Sequence, residues 1–116
     1  MTVTIYGIKA CDTMKKARTW LATHGVVHEF NDYKAQGIGE TALHGWVAKV
    51  GWERLLNRSG TTFRNLAEGD RQNLDETKAV RLMLAQPSMI KRPVLSVDGD
   101  LLVGFKPDAY ASRFGI

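Results

Sequence analysis

The sequence predicts an α/β fold in which a β-α-β opening and a β-β-α ending frame a helical insertion. Three features carry that reading. Two β-rich runs, TVTIY and VVHEFND, flank an amphipathic stretch beginning at Asp12. Apolar residues recur at helical spacing through the middle of the chain. Near the end, PVLSV and DLLVGF are separated by Asp98-Gly99, the strongest short hairpin signal.

The elements follow in order. Residues 2–6 are β-branched or aromatic and form the first strand, with Gly7 breaking it. From Asp12, Met14, Ala17, Trp20 or Leu21, and His24 repeat at helical spacing, with Lys15, Lys16 and Arg18 on the other side. Gly25 is placed to cap this helix, and residues 26–32 read as the second strand. A helix-bearing connection of this length joins parallel strands. Leu43, Trp46, Val47 and Val50 then make an i, i+3, i+4, i+7 stripe that Gly51 ends. A turn at residues 52–56 follows, then a short helix in TTFRNL with Thr61 or Thr62 as its cap. Residues 75–86 form a further helix, capped by Asp75 and ended by Pro87. Pro93 starts a strand, where no ladder donor is lost. The D-G turn forces antiparallel pairing, and a helix from Pro107 to Ser112 closes the chain. This is a thioredoxin-like layout: one domain over residues 1–116, with the insertion at about 39–86.

Composition bounds the function. With 116 residues, 44% of them hydrophobic and 24% charged, the chain suits one soluble globular domain. No apolar run approaches the ~20 residues of a membrane span. The start lacks signal-peptide character, and one cysteine cannot form an internal disulfide, so the cytoplasm is expected. The net charge of +4 favours anionic ligands, yet the basic residues are scattered and carry no nucleic-acid motif, so no nucleic acid is expected.

The candidate chemistry begins at Cys11. It lies in the turn before the first helix, where unpaired N–H groups and the helix dipole favour an anion. Lys9 lies two residues before it and Lys15 about one turn after, and positive charge raises the reactive thiolate fraction. Asp12 opposes this unless it caps the helix. The competing reading is a small buried apolar residue. The second candidate is IKRP, residues 90–93. A proline entering a strand can hold a cis peptide, and Arg92 would then offer a fork of donors for carboxylate, phosphate or arsenate. Alone, the pair reads more simply as a surface arginine before a strand proline. Arg54, Arg58, Arg64 and Lys106 are further cations in loops or short helices. His24, His28 and His44 show no metal-ligand spacing, and G-I-G at 37–39 lacks the context of a phosphate loop. Trp46 and Trp52 read as core.

Three blocks, CDTMKKARTWL, GWERLLNRSGTTFR, and MIKRPVL followed by LLVGF, resemble the arsenate reductase-like family that includes ArsC and Spx, and most nearly its YffB type. The resemblance spans essentially the whole chain. It implies a thioredoxin-like fold with a helical insertion and a cis proline at Pro93. The family's nucleophilic cysteine falls on Cys11, and its oxyanion-binding arginine before proline on Arg92. The implied activity is that of a glutathione-dependent thiol reductase. Two positions depart from the arsenate reductases. Asn57 follows Leu55-Leu56, with Arg58 only after it, and Lys106 stands before Pro107 where that group has arginine. Lysine keeps the charge and loses the bidentate fork, which weighs against arsenate. Met14 takes the place of a second cysteine, which excludes an internal C-x-x-C switch.

The expected function is therefore a thiol-disulfide reductase with one nucleophile, Cys11, and an external resolving thiol. Lys9, Arg92, Pro93, Arg58 and Lys106 form the expected set for binding glutathione, substrate or oxyanion, with no metal. Glutathione serves as co-substrate, no cofactor is tightly bound, glutaredoxin is a further candidate partner, and the chain is expected to be a monomer. The alternatives are arsenate reductase and an Spx-like, non-catalytic module that binds a protein partner.

Overall fold

A computed structural model describes residues 1–116. The chain forms two compact units, one of Met1–Gln36 with Arg92–Ile116 and one of Gly37–Lys91.

The first unit holds strands β1 (Val3–Gly7), β2 (Glu29–Asp32), β3 (Val94–Val97) and β4 (Asp100–Val103) in the order β2-β1-β3-β4. β1 runs parallel to β2 and antiparallel to β3, and β3 runs antiparallel to β4. This is the thioredoxin-like α/β arrangement that the element order implied. β1 alternates as a strand covered mainly on one face should: Val3, Ile5 and Gly7 are buried, Thr4 and Tyr6 partly so. Gly7 belongs to the strand rather than breaking it, because it still pairs with Asp32 of β2.

Helix α1 (Asp12–Thr23) buries Met14, Ala17 and Leu21. Leu21, not Trp20, completes the stripe, and exposed His24 stacks on Trp20 with ring centroids 4.0 Å apart. Gly25, at φ +70°, ends the helix in a Schellman turn. Its N–H donates to Ala22 O at 3.1 Å, and that of Val26 donates to Leu21 O at 2.9 Å. This corrects the second strand. Val26 is consumed by the cap, Val27 is 90% exposed, and ladder pairing starts only at Glu29. A single helical turn, α2 (Tyr33–Gln36), follows β2 directly.

The hairpin forms as its D-G pair requires, with φ +51° at Asp98 and +92° at Gly99. Asp98 also ties the sheet to the start of the chain, accepting from Thr2 N–H at 2.7 Å and donating to Thr2 O at 3.0 Å. β4 stops at Val103, two residues before the predicted end, because Gly104 turns out of the strand at φ +82°. The last helix, designated α8 in chain order (Pro107–Phe114), runs beyond Ser112 to an αL cap at Gly115.

The core of this unit gathers Val3, Ile5, Met14, Ala17, Leu21, Val26, Leu95, Val97 and Tyr110, with Trp20, Phe105 and Phe114 packed against it. Tyr110 meets Phe105 and Trp20 edge-on, at 4.9 and 5.5 Å between centroids. Each such aliphatic side chain contributes about 1.5–3 kcal/mol by leaving water.

The second unit is helical: α3 (Glu40–Val50), α4 (Trp52–Leu55), α5 (Thr61–Arg64), α6 (Glu68–Arg71), α7 (Glu76–Ala85) and a 3₁₀ turn, Pro87–Met89. Its limits lie a few residues outside the predicted 39–86. α3 buries Leu43, Trp46 and Val47 and ends at Gly51, and the Asp75 carboxylate caps α7 by accepting from Lys78 N–H at 2.8 Å. Neither Thr61 nor Thr62 caps α5. The cap residue is Gly60, and the Thr62 hydroxyl meets Ser88 Oγ at 3.1 Å. Pro87 does more than end α7, since it opens the 3₁₀ turn. Trp52 is only partly buried and carries the Arg58 guanidinium 5.5 Å over its ring. No helix of the chain is long and apolar enough to cross a membrane.

Candidate functional site

Strands β1 and β2 are parallel, so their carboxyl ends lie side by side, where αβ sheets place ligands. The chain leaves β1 at Gly7, makes a short loop through Lys9, and enters α1 after Cys11. Two anchors hold that loop. Asp32, at the end of β2, accepts from Lys9 N–H at 3.2 Å through Oδ2. Its Oδ1 accepts from Lys34 N–H at 2.9 Å and Ala35 N–H at 3.1 Å, so one carboxylate both pins the loop and caps α2. Desolvation pushes the Asp32 pKa up. The N–H groups of Ala35, Lys9 and Lys34 and the charge of Lys34 outweigh it and hold it below the usual carboxylate value. The second anchor is a close approach. A Cβ at Gly7 would overlap Met14 Sδ and lie 2.7 Å from Cε, so glycine lets α1 seat Met14 there without displacing its thioether.

Cys11 takes the cap position of α1 in an extended conformation, φ −140° and ψ 128°, and its carbonyl accepts from Lys15 N–H at 3.0 Å. Its side chain is partly exposed. Arg92 approaches from the start of β3, with Nε 3.4 Å from Sγ, across 81 residues of sequence. Burial raises the thiol pKa. The Met14 N–H, the Arg92 side-chain hydrogen bond, the Thr13 N–H and the Arg92 charge together reverse that, and the net shift is downward. The causes are the orphan donors of a helix start and one guanidinium. The sulfur is thus partly exposed, held in a fixed cap geometry and biased toward the thiolate, which is what nucleophilic chemistry on sulfur needs.

The remaining expected residues fall as follows. The Arg92–Pro93 peptide is cis, and Pro93 is buried, its carbonyl accepting from Gly104 N–H at 2.8 Å. Lys9 is exposed and enters through its backbone N–H; the cation acting on the sulfur is Arg92. Lys106 is exposed at the cap of α8, its carbonyl accepting from Tyr110 N–H at 3.1 Å. Arg58 lies in the helical unit, over Trp52.

Sequence reasoning missed Asp32 and Tyr33. Tyr33 is fully buried, and its phenol shares a hydrogen bond with the Arg92 side chain. Burial pushes its pKa far up, against the opposing pull of the Arg92 charge and hydrogen bond. A signal was present. An aspartate at the carboxyl end of a strand parallel to β1, followed at once by a helical turn, marks a capping position beside the loop that carries the thiol.

The sequence model of the ArsC family matches residues 6–112 of this chain. Among solved structures, the YffB protein is 64% identical, covering 96% of this chain and 97% of that one, with a TM-score of 0.92. An arsenate reductase (ArsC)-related protein from Brucella melitensis is 58% identical over 100% of this chain and 97% of that one, with a TM-score of 0.80. An uncharacterised protein of Haemophilus influenzae is 41% identical, with 97% and 98% of the two chains covered. The global transcriptional regulator Spx 2 of Lactococcus lactis lies further off, at 24% over 91% of this chain and 81% of that one.

Proposed function

The chain belongs to the ArsC family, and from that premise we propose that it is a glutathione-dependent thiol-disulfide reductase with Cys11 as its single nucleophile. The observation that carries this reading is the approach of Arg92 Nε to within 3.4 Å of the Cys11 sulfur, at a helix start. In the first step the Cys11 thiolate attacks the glutathionyl sulfur of a mixed disulfide, RS–SG. A Cys11–SG bond forms, the RS–SG bond breaks, and the departing thiolate takes a proton from water. In the second step the thiolate of a free glutathione attacks the glutathionyl sulfur of Cys11–SG, and the Cys11 sulfur is the leaving group. Oxidised glutathione leaves and the Cys11 thiolate returns. The net exchange converts RS–SG and GSH into RSH and GSSG, two electrons passing from glutathione to the substrate.

Cys11 is the chain's one cysteine, so the resolving sulfur comes from outside. Arg92 stabilises the thiolate before attack and again on its return. The exposed cations Lys9 and Lys106 supply attraction for the carboxylates of glutathione. On this reading no cofactor is tightly bound, the enzyme works as a monomer, and a glutaredoxin can stand in for the second glutathione.

The test is a glutathione titration of the purified protein followed by intact-mass spectrometry, together with pH-dependent alkylation. The expected result is one glutathione added at Cys11, none in Cys11→Ser, and an alkylation midpoint below the ~8.5 of a free thiol. A midpoint at or above that value refutes the proposal. Turnover of arsenate at the rate of a true arsenate reductase, lost in Cys11→Ser, replaces it with the oxyanion reaction. Retention of a protein partner by Cys11→Ser, with no adduct in the parent, replaces it with a binding role.

A further inference from the structure

We infer that Tyr33 is a positioning residue of this site: its buried phenol holds the Arg92 guanidinium in the orientation that brings Nε to the Cys11 sulfur. The inference rests on the reductase reading for its purpose, though not for its geometry. An arginine side chain is long and flexible, and a partly buried one facing a single sulfur has several ways to point its fork of donors. Here Nε reaches Sγ at 3.4 Å while the same guanidinium meets the Tyr33 hydroxyl. The guanidinium can only donate, so the phenol oxygen is the acceptor.

Tyr33 suits this task in two ways. It is fixed, being fully buried and starting α2, whose first turn is capped by the Asp32 carboxylate at 2.9 and 3.1 Å. It is also neutral. The groups facing it are the Arg92 guanidinium, the Cys11 sulfur and the Asp32 carboxylate, and its burial keeps the phenol protonated among them. A carboxylate in the same place would orient Arg92 equally well but would cancel its charge, leaving little for the thiolate. A neutral acceptor orients the cation and leaves that charge undiminished. Asp32, one residue earlier, spends its negative charge on backbone N–H groups.

The experiment is a double-mutant cycle read by the pH dependence of Cys11 alkylation with iodoacetamide. Tyr33→Phe keeps the ring that fills the core and removes only the oxygen. It is expected to raise the midpoint by about half a pH unit, roughly three-fold less thiolate below the midpoint. In an Arg92→Met background the same change is expected to add no further shift. An unmoved midpoint with Arg92 present, or an equal shift in both backgrounds, overturns the inference. A second readout guards against a general loosening of the fold: the Arg92 Nε–H resonance is expected to exchange faster in Tyr33→Phe than in the parent, at an unchanged thermal midpoint. Equal exchange in parent and variant also overturns it. None of these measurements uses glutathione. A Tyr33 shift without a glutathione adduct sinks the reductase reading alone, and an adduct without the shift sinks this inference alone.

Discussion

Replacing Gly7 by alanine sets a methyl group against the Met14 thioether that helps hold α1, and hence Cys11, against the end of β1. The added Cβ would overlap Met14 Sδ, with Cε at 2.7 Å and Cγ at 3.1 Å. Met14 is fully buried and cannot swing into solvent. Overpacking of this kind costs about 1–3 kcal/mol, and the adaptable thioether favours the lower half of that range. Against it, alanine stiffens the unfolded chain where glycine's φ is ordinary, a gain of about 0.4–1 kcal/mol. The net expectation is a loss of about 1 kcal/mol. Met14→Ala removes the obstructing atoms at its own cost of about 2–5 kcal/mol. In that background the overlap is gone and only the gain remains, so Gly7→Ala should stabilise. The assay is urea unfolding of all four proteins, comparing midpoints at constant slope. The expected outcome is a change of sign, with a coupling of about 1–2 kcal/mol. An identical effect of Gly7→Ala in both backgrounds would refute it.

Four further outcomes are expected. Arg92→Lys keeps a positive charge but loses the Nε donor at the sulfur, so the alkylation midpoint of Cys11 should rise without reaching that of Arg92→Met; equal midpoints would show that charge alone acts. The Asp32 pKa is held down in the folded state, so its stabilisation is complete above the unfolded value of about 3.9 and is lost as pH falls through the folded value. Asp32→Asn should flatten that acid limb, read as urea midpoint against pH. The Cys11 pKa is likewise lowered by folding, so stability should rise with pH from its folded value to about 8.5, and Cys11→Ser should abolish the rise. The Tyr110 hydroxyl is buried without a protein hydrogen-bond partner, so Tyr110→Phe should melt no lower than the parent and gain up to about 1–3 kcal/mol.

The parts of this fold that the sequence disclosed are those with a strong local period or a stereochemical demand. The α1 stripe through Met14 and Ala17 follows from spacing, although spacing leaves Trp20 or Leu21 open and wrongly adds His24, and the Asp98-Gly99 turn follows from its need for two positive φ angles. What stayed hidden lacked either. Val26 and Val27 look like strand residues, but a Schellman turn at Gly25 claims the backbone of the first and leaves the second in solvent. The single-turn helices at Tyr33–Gln36 and Glu68–Arg71 are too short to show a period. In the site, Cys11 was legible because a helix start is a local feature. The meeting of Arg92 with Cys11 came from resemblance, since no local pattern joins residues so far apart in sequence. Tyr33 escaped because a buried tyrosine after a strand looks like core until its oxygen is given a partner.

The sheet is sewn in an order that the ribosome cannot follow. The helical unit is one continuous stretch, Gly37–Lys91, whereas the strand-bearing unit is made from both ends of the chain, with β3 paired directly to β1. A nascent chain that has just delivered residue 91 therefore carries Cys11 without its guanidinium, as a thiol of muted appetite. Synthesis of the last fifth brings the guanidinium that biases the sulfur toward the thiolate, so the state of an early residue is set by late ones. Any truncation that spares Cys11 but removes β3 should leave a chain with its sulfur present and its chemistry missing.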